Sequence, residues 1–115
     1  MAQSTKTTTL LWILQALAAV VFLAAGGAKL AGVPQMVAVF QKVGVGQWFR
    51  YVTGLLEVLG AIGLFVPGYS FYSAVLLSLV MIGAVISQFT VLGESPIPPV
   101  VMLLLTGAIA YLRKP

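Results

Sequence analysis

The chain contains no cysteine and no histidine among its 115 residues. Without cysteine it forms no disulfide, no thiol relay and no iron–sulfur ligation. Without histidine it lacks the usual protein ligands of haem and zinc. We therefore expect no metal and no covalently bound cofactor. Any redox role has to use a bound organic molecule, such as a quinone or lipid, or the cofactors of a partner.

Charge is scarce as well. Only 7% of the residues are charged and 61% are hydrophobic, whereas a soluble domain has about 25% charged residues. Such a chain cannot cover a water-facing surface, so its solvent is a lipid bilayer. The six basic residues lie at the ends of apolar runs and form no cluster, which argues against nucleic acid as a partner. The length predicts one domain, residues 1–115.

The apolar runs predict an all-α fold, an antiparallel bundle of four transmembrane helices. About 20 helical residues cross a bilayer, and crossings are expected at about 8–30, 47–66, 69–92 and 97–112, with a Pro67–Gly68 turn after the second. Because the first run is longer than the apolar core of a signal peptide, we expect it to be a retained helix. Residues 34–43 are too few to span and predict a short interfacial helix, with an irregular loop as the alternative.

Four crossings place both termini on one side of the membrane. That side carries Lys6, Arg113 and Lys114. The distribution of lysine and arginine favours cytoplasmic termini. We expect a multi-pass protein of a bacterial-type cytoplasmic membrane.

Glu57 is the main functional candidate. It is one of two acidic residues and lies near the middle of the second apolar run. A carboxylate at that depth is costly in lipid and marks a functional or assembly site with a partner nearby. Lys29, near the end of the first run, lies on the same membrane side as Arg50, and its long side chain is expected to reach down towards Glu57 and pair with it. The predicted intramembrane polar site is Lys29, Glu57 and Gln88, with Arg50, Tyr51 and Thr53 nearer its mouth and Arg50 snorkelling outward.

Three interpretations of this polar site stay open. In the first the pair only locks two helices together, in the second the site binds a ligand, and in the third it forms a proton or ion path. Gln15 is interpreted as an interhelical hydrogen bond. Small residues let helices approach closely in membranes, and the expected packing glycines are Gly26, Gly27, Gly32, Gly54, Gly60 and Gly63.

The same residues carry a family likeness. The segment from Phe22 to Gly32 resembles the F-x-x-x-G-x-x-K-L-x-G ending of the first helix in the DoxX-like family, and Gly54 to Leu64 resembles its G-x-x-E-x-x-G-A-x-G-L second helix. The resemblance implies a four-helix membrane protein with Lys29 and Glu57 at family positions. Relatives include subunits linked to quinone-coupled sulfur oxidation, membrane redox subunits, and accessory or maturation factors. Relatives that use thiol chemistry need cysteines, which this chain does not have.

The first functional hypothesis is an accessory membrane subunit, or a binder of a small lipophile such as a quinone, in a membrane redox or maturation complex. The alternatives are an oligomeric proton-coupled transporter and a purely structural assembly partner. The expected partners are the lipid bilayer and either further copies of the chain or other membrane proteins, and the transporter alternative requires a homo-oligomer. We expect no independent enzymatic activity, because the chain offers no Ser/His/Asp set, no cysteine nucleophile and no paired carboxylates.

Overall fold

The computed structural model describes residues 5–66 and 68–115, which form helices and no strand. The prediction of an all-helical chain is therefore confirmed for the described residues. The elements are α1 (Thr5–Ala31), α2 (Pro34–Val43), α3 (Trp48–Gly63), α4 (Ser70–Ser87), a π-helical segment (Gln88–Leu92) that continues α4, and α5 (Ile97–Arg113).

Proline and glycine set several of these limits. Pro34 is in the first turn of α2, where its missing N–H is not needed. Gly44 ends α2 with φ 82° and Gly93 ends the π-helical segment with φ 63°, a left-handed conformation that glycine adopts without a Cβ penalty. α3 ends at Gly63 rather than near residue 66. Pro67, half of the predicted turn, lies outside the described residues.

The long helices pack as antiparallel neighbours. A hydrogen bond of 2.8 Å joins Ser78 on α4 to Thr106 on α5, and Gly60 on α3 lies against Leu77 on α4. The apolar core lies between α1, α3, α4 and α5, and its largest fully buried members are Phe22, Leu11, Leu64, Leu77 and Ile109.

The outer faces of the helices are also apolar. Leu17, Leu79 and Leu104, on three different helices, are more than half exposed. Among the described residues, Lys6–Ala31 (26 residues) and Ser70–Leu92 (23 residues) are long and apolar enough to cross a membrane, and Ile97–Arg113 is a shorter apolar helix. Large apolar surfaces of this kind mark contact with a membrane or another protein.

Candidate functional site

Lys29 and Glu57 form an ion pair between α1 and α3. The Nζ atom of Lys29 lies 2.7 Å from Oε1 of Glu57, and the Lys29 side chain is 15% exposed. Glu57 is 1% exposed. Within the described part of the chain, its Oε1 accepts no hydrogen bond of regular geometry, so Lys29 compensates its charge through the ionic contact. Removal of either partner would leave an uncompensated charge.

Two glycines explain why these side chains meet. Gly26 on α1 precedes Lys29 by one helical turn, and Gly54 on α3 does the same for Glu57. A Cβ atom on Gly26 would lie 2.7 Å from the Gly54 carbonyl oxygen, closer than real atoms approach. Only glycine allows the backbones this proximity, which places the two charged side chains beside each other.

The predicted packing glycines divide into three groups. Gly26, Gly54, Gly60 and Gly63 each lie directly against a neighbouring helix. Gly32, in contrast, has φ 73° and lies beside the Arg50 guanidinium, so it forms the turn after α1. A Cβ atom on Gly27 would meet no atom of another element within 4 Å, so the packing role predicted for Gly27 is wrong.

A cavity of about 400 Å³ begins at the ion pair and extends between α2, α3 and α4. α3 and α4 are in close contact at Gly60 and Leu77, but further along they are separated by this cavity. Most of its wall is apolar. The polar residues on the wall are Lys29, Thr53, Glu57, Ser87, Gln88 and Glu94.

Gln88 and Thr53 lie on the cavity wall together with the ion pair. The Gln88 side-chain amide donates to the Ser95 carbonyl, and the Thr53 hydroxyl donates to the Phe49 carbonyl over 2.8 Å. Gln88 is the first residue of the π-helical segment. Such segments occur frequently at functional sites, because they change the direction of side chains within a helix.

Arg50 and Tyr51 do not line the cavity. Arg50 does not extend outward either: it is 5% exposed, and its guanidinium donates to the Lys29 carbonyl and to Gln47 Oε1. The reason is that the last carbonyls of α1 have no partner within the helix, and Arg50 supplies one. Tyr51 is half exposed and its ring lies 4.3 Å from the Arg50 guanidinium carbon.

The sequence did not reveal α2 as a wall of the cavity. Met36, Val39, Phe40 and Val43 on α2 line it, and Glu94 lies at its rim. The helical spacing of these apolar residues was visible in the sequence, but it indicated only a membrane interface. Lys42 connects α2 to the π-helical segment by donating to the Leu92 carbonyl over 3.4 Å.

A second buried polar cluster lies in the N-terminal half of α1. Gln15 donates to the Leu64 carbonyl over 2.6 Å, the type of interhelical bond that was predicted. Its Oε1 also accepts a bond of 2.7 Å from Arg113 Nε, which was not predicted. Arg113 lies 5.0 Å from the ring centre of Trp12. The cluster fastens α5 and the end of α3 to α1.

The fold and the site define a small helical protein with membrane-length helices and a buried ion pair on the wall of a cavity. The chain belongs to the DoxX-like family of membrane proteins, whose model matches residues 13–110. No curated protein and no solved structure matches it.

Proposed function

We propose that α1, α3, α4 with its π-helical segment, and α5 each cross the membrane, and that α2 lies in the interface. α3 has 16 residues and α5 has 17, about 24 and 26 Å at about 1.5 Å per residue. Flanking residues complete the span of about 30 Å. Trp48 and Tyr69 lie at helix ends, where aromatic residues meet the headgroups. The lysine and arginine distribution favours cytoplasmic termini.

In this arrangement the protein binds a small lipophile with a polar head group, such as a quinone, as an accessory subunit of a membrane complex. The observation that carries this proposal is the position of the Lys29–Glu57 pair on the wall of an otherwise mostly apolar cavity. Ligand pockets combine apolar walls with a few polar groups that orient the ligand. An ion pair that served only to join two helices would need no such space beside it.

The chemistry of the wall favours an uncharged head group. Lys29 and Glu57 neutralise each other, so the inner end of the cavity carries no net charge. The ammonium group can donate further hydrogen bonds, and the hydroxyl of Thr53 can accept one. A carbonyl or hydroxyl group on an apolar molecule matches these groups. An ionic head group would lack a countercharge there and would lose its hydration.

Mass spectrometry of lipophiles that copurify with the protein tests this function. The wild-type protein should retain a lipophile in near-stoichiometric amount, and the double variant Lys29→Met with Glu57→Leu should lose it. Thr106→Val, which changes a buried polar residue on α5 outside the cavity, is the matched control and should retain the lipophile. Circular dichroism and gel filtration confirm that each variant is folded. Detection of only bulk lipid, identical in all three proteins, would contradict the proposal.

A structural lock between α1 and α3 is the second candidate, favoured by the direct contact of the two charges at 2.7 Å. It predicts that the exchange Lys29→Glu with Glu57→Lys restores both stability and activity in the cell. A lipophile binder predicts restored stability alone, since the exchange reverses the positions of donor and acceptor. The phenotype of a deletion strain complemented with each variant separates the two candidates.

A further inference from the structure

One side of the cavity wall is also part of the outer surface. Leu79 and Gly83 on α4 line the cavity, yet Leu79 is 61% exposed and Gly83 is exposed as well. They lie one helical turn apart on α4, and Leu56 of α3 lines the same cavity. At this place the cavity opens sideways between α3 and α4, at the depth of the apolar helix faces.

The cavity has a second rim of different character. Glu94 follows the π-helical segment and is exposed, so the cavity approaches the polar end of the molecule there. A charged group at a rim favours water and polar solutes. The sideways opening at Leu79 and Gly83 carries no polar side chain and therefore favours hydrocarbon.

The volume limits how much of a ligand the cavity encloses. About 400 Å³ is near the lower end of the range of about 300–1,000 Å³ that is typical for pockets enclosing drug-sized molecules. A head group with a short part of its tail fits this space. A longer hydrocarbon tail has to leave the cavity, and it will leave where the surroundings are apolar.

We infer that the ligand is a long-tailed lipophile whose head group lies at Lys29 and Glu57 and whose tail passes into the bilayer between α3 and α4, beside Gly83. This inference rests on the proposed function and adds to it the class of ligand and the route of entry. The ligand reaches the site from the lipid phase, and its tail remains partly in the bilayer while it is bound.

Gly83 gives a direct way to test this route. A Cβ atom at Gly83 meets nothing within 4 Å, so a side chain can begin there without displacing the backbone. Gly83→Phe would narrow the opening while leaving Lys29 and Glu57 unchanged. Gly107 on α5 is also exposed, and a Cβ atom there meets nothing within 4 Å, but Gly107 does not line the cavity. Gly107→Phe is therefore the matched control.

The experiment compares two probes in one detergent: a benzoquinone with a decyl tail, and the same benzoquinone with a methyl group in place of the tail. Binding is measured by quenching of tryptophan fluorescence. Gly83→Phe should weaken binding of the decyl probe by about tenfold, equivalent to about 1.4 kcal/mol, and leave the methyl probe unchanged. Gly107→Phe should bind both probes as the wild type does.

The outcomes separate the two proposals. The route beside Gly83 is wrong if Gly83→Phe binds the decyl probe as tightly as Gly107→Phe does, or if it lowers the affinity for both probes equally. In either case the binding site itself stands. If the wild-type protein binds neither probe and retains no lipophile on purification, the proposed function fails and this inference fails with it. If the wild type binds only the decyl probe, the tail is required, and the comparison of Gly83→Phe with Gly107→Phe decides on that probe alone.

Discussion

Gly26 and Gly54 bring the backbones of α1 and α3 into contact: a Cβ atom on Gly54 would lie 3.0 Å from the Gly26 carbonyl oxygen. One turn further along each helix, Lys29 and Glu57 form the ion pair. The two contacts depend on the same geometry, because side chains one turn apart share a helix face. The close approach of the backbones is thus a condition for the polar site.

Gly26→Ala should reduce the free energy of unfolding by about 1–3 kcal/mol, the usual cost of overpacking, since the added methyl group meets the Gly54 carbonyl and Val58. Gly27→Ala is the neighbouring control, because a Cβ atom there meets nothing within 4 Å. Chemical unfolding in mixed micelles measures the free energy of unfolding of both variants. Equal destabilisation by the two substitutions would contradict the packing of α1 on α3.

Glu57→Leu should destabilise the protein by about 3–5 kcal/mol, because it leaves the Lys29 ammonium without its countercharge. Adding Lys29→Met to this variant should recover most of the loss, since an apolar pair needs no compensation. The same unfolding assay compares the single and double variants. A double variant no more stable than Glu57→Leu would show that the charges are not coupled.

Gln15→Leu should cost about 1–3 kcal/mol, the range for leaving buried polar groups without partners. The substitution removes the donor to the Leu64 carbonyl and the acceptor for Arg113. Gln35→Leu, at an exposed position on α2, should change the stability by less than about 0.5 kcal/mol. Thermal unfolding in detergent compares the two, and similar melting temperatures would refute the role assigned to Gln15.

Ser78→Ala and Thr106→Val form a double-mutant cycle across α4 and α5. Their hydroxyl groups are 2.8 Å apart, so the cycle should give a coupling energy of about 0.5–1.5 kcal/mol, as found for hydrogen bonds between membrane helices. Thr90→Val replaces an exposed threonine whose hydroxyl donates within its own helix, to the Ile86 carbonyl, and should show no coupling to Ser78→Ala. Zero coupling in the first cycle would show that this bond does not stabilise the packing of α4 on α5.

The sequence predicts those helix limits that depend on residues nearby in the chain. The bounds of α2 follow from Pro34 at its start and Gly44 at its end, and both act locally. The end of α3 follows from local signals only roughly, since the limit expected near residue 66 lies three residues beyond Gly63. The Leu64 carbonyl accepts hydrogen bonds from Gln15 and Ser70. Gln15 lies 49 positions away, and no local pattern reveals such a partner.

The polar site, too, could be predicted only in part from the sequence. The depths of Lys29 and Glu57 in their apolar runs predict a contact, because the cost of isolated charges in lipid leaves few alternatives. The direction of Arg50 could not be predicted, since it depends on where α1 ends and on the position of the Lys29 carbonyl, which accepts from Arg50 there. The sequence predicts a polar site between the helices but not α2 as part of its wall, because Met36, Phe40 and Val43 reach the cavity only in the folded bundle.

The most direct measurement is a density map of the wild-type protein in lipid nanodiscs. We expect an elongated non-protein density that begins within hydrogen-bond distance of Lys29 and Glu57 and continues past Gly83 into the surrounding lipid. A map in which α2 fills the space between α3 and α4, or in which the Glu57 carboxylate is turned to the outer surface, would contradict the proposed site.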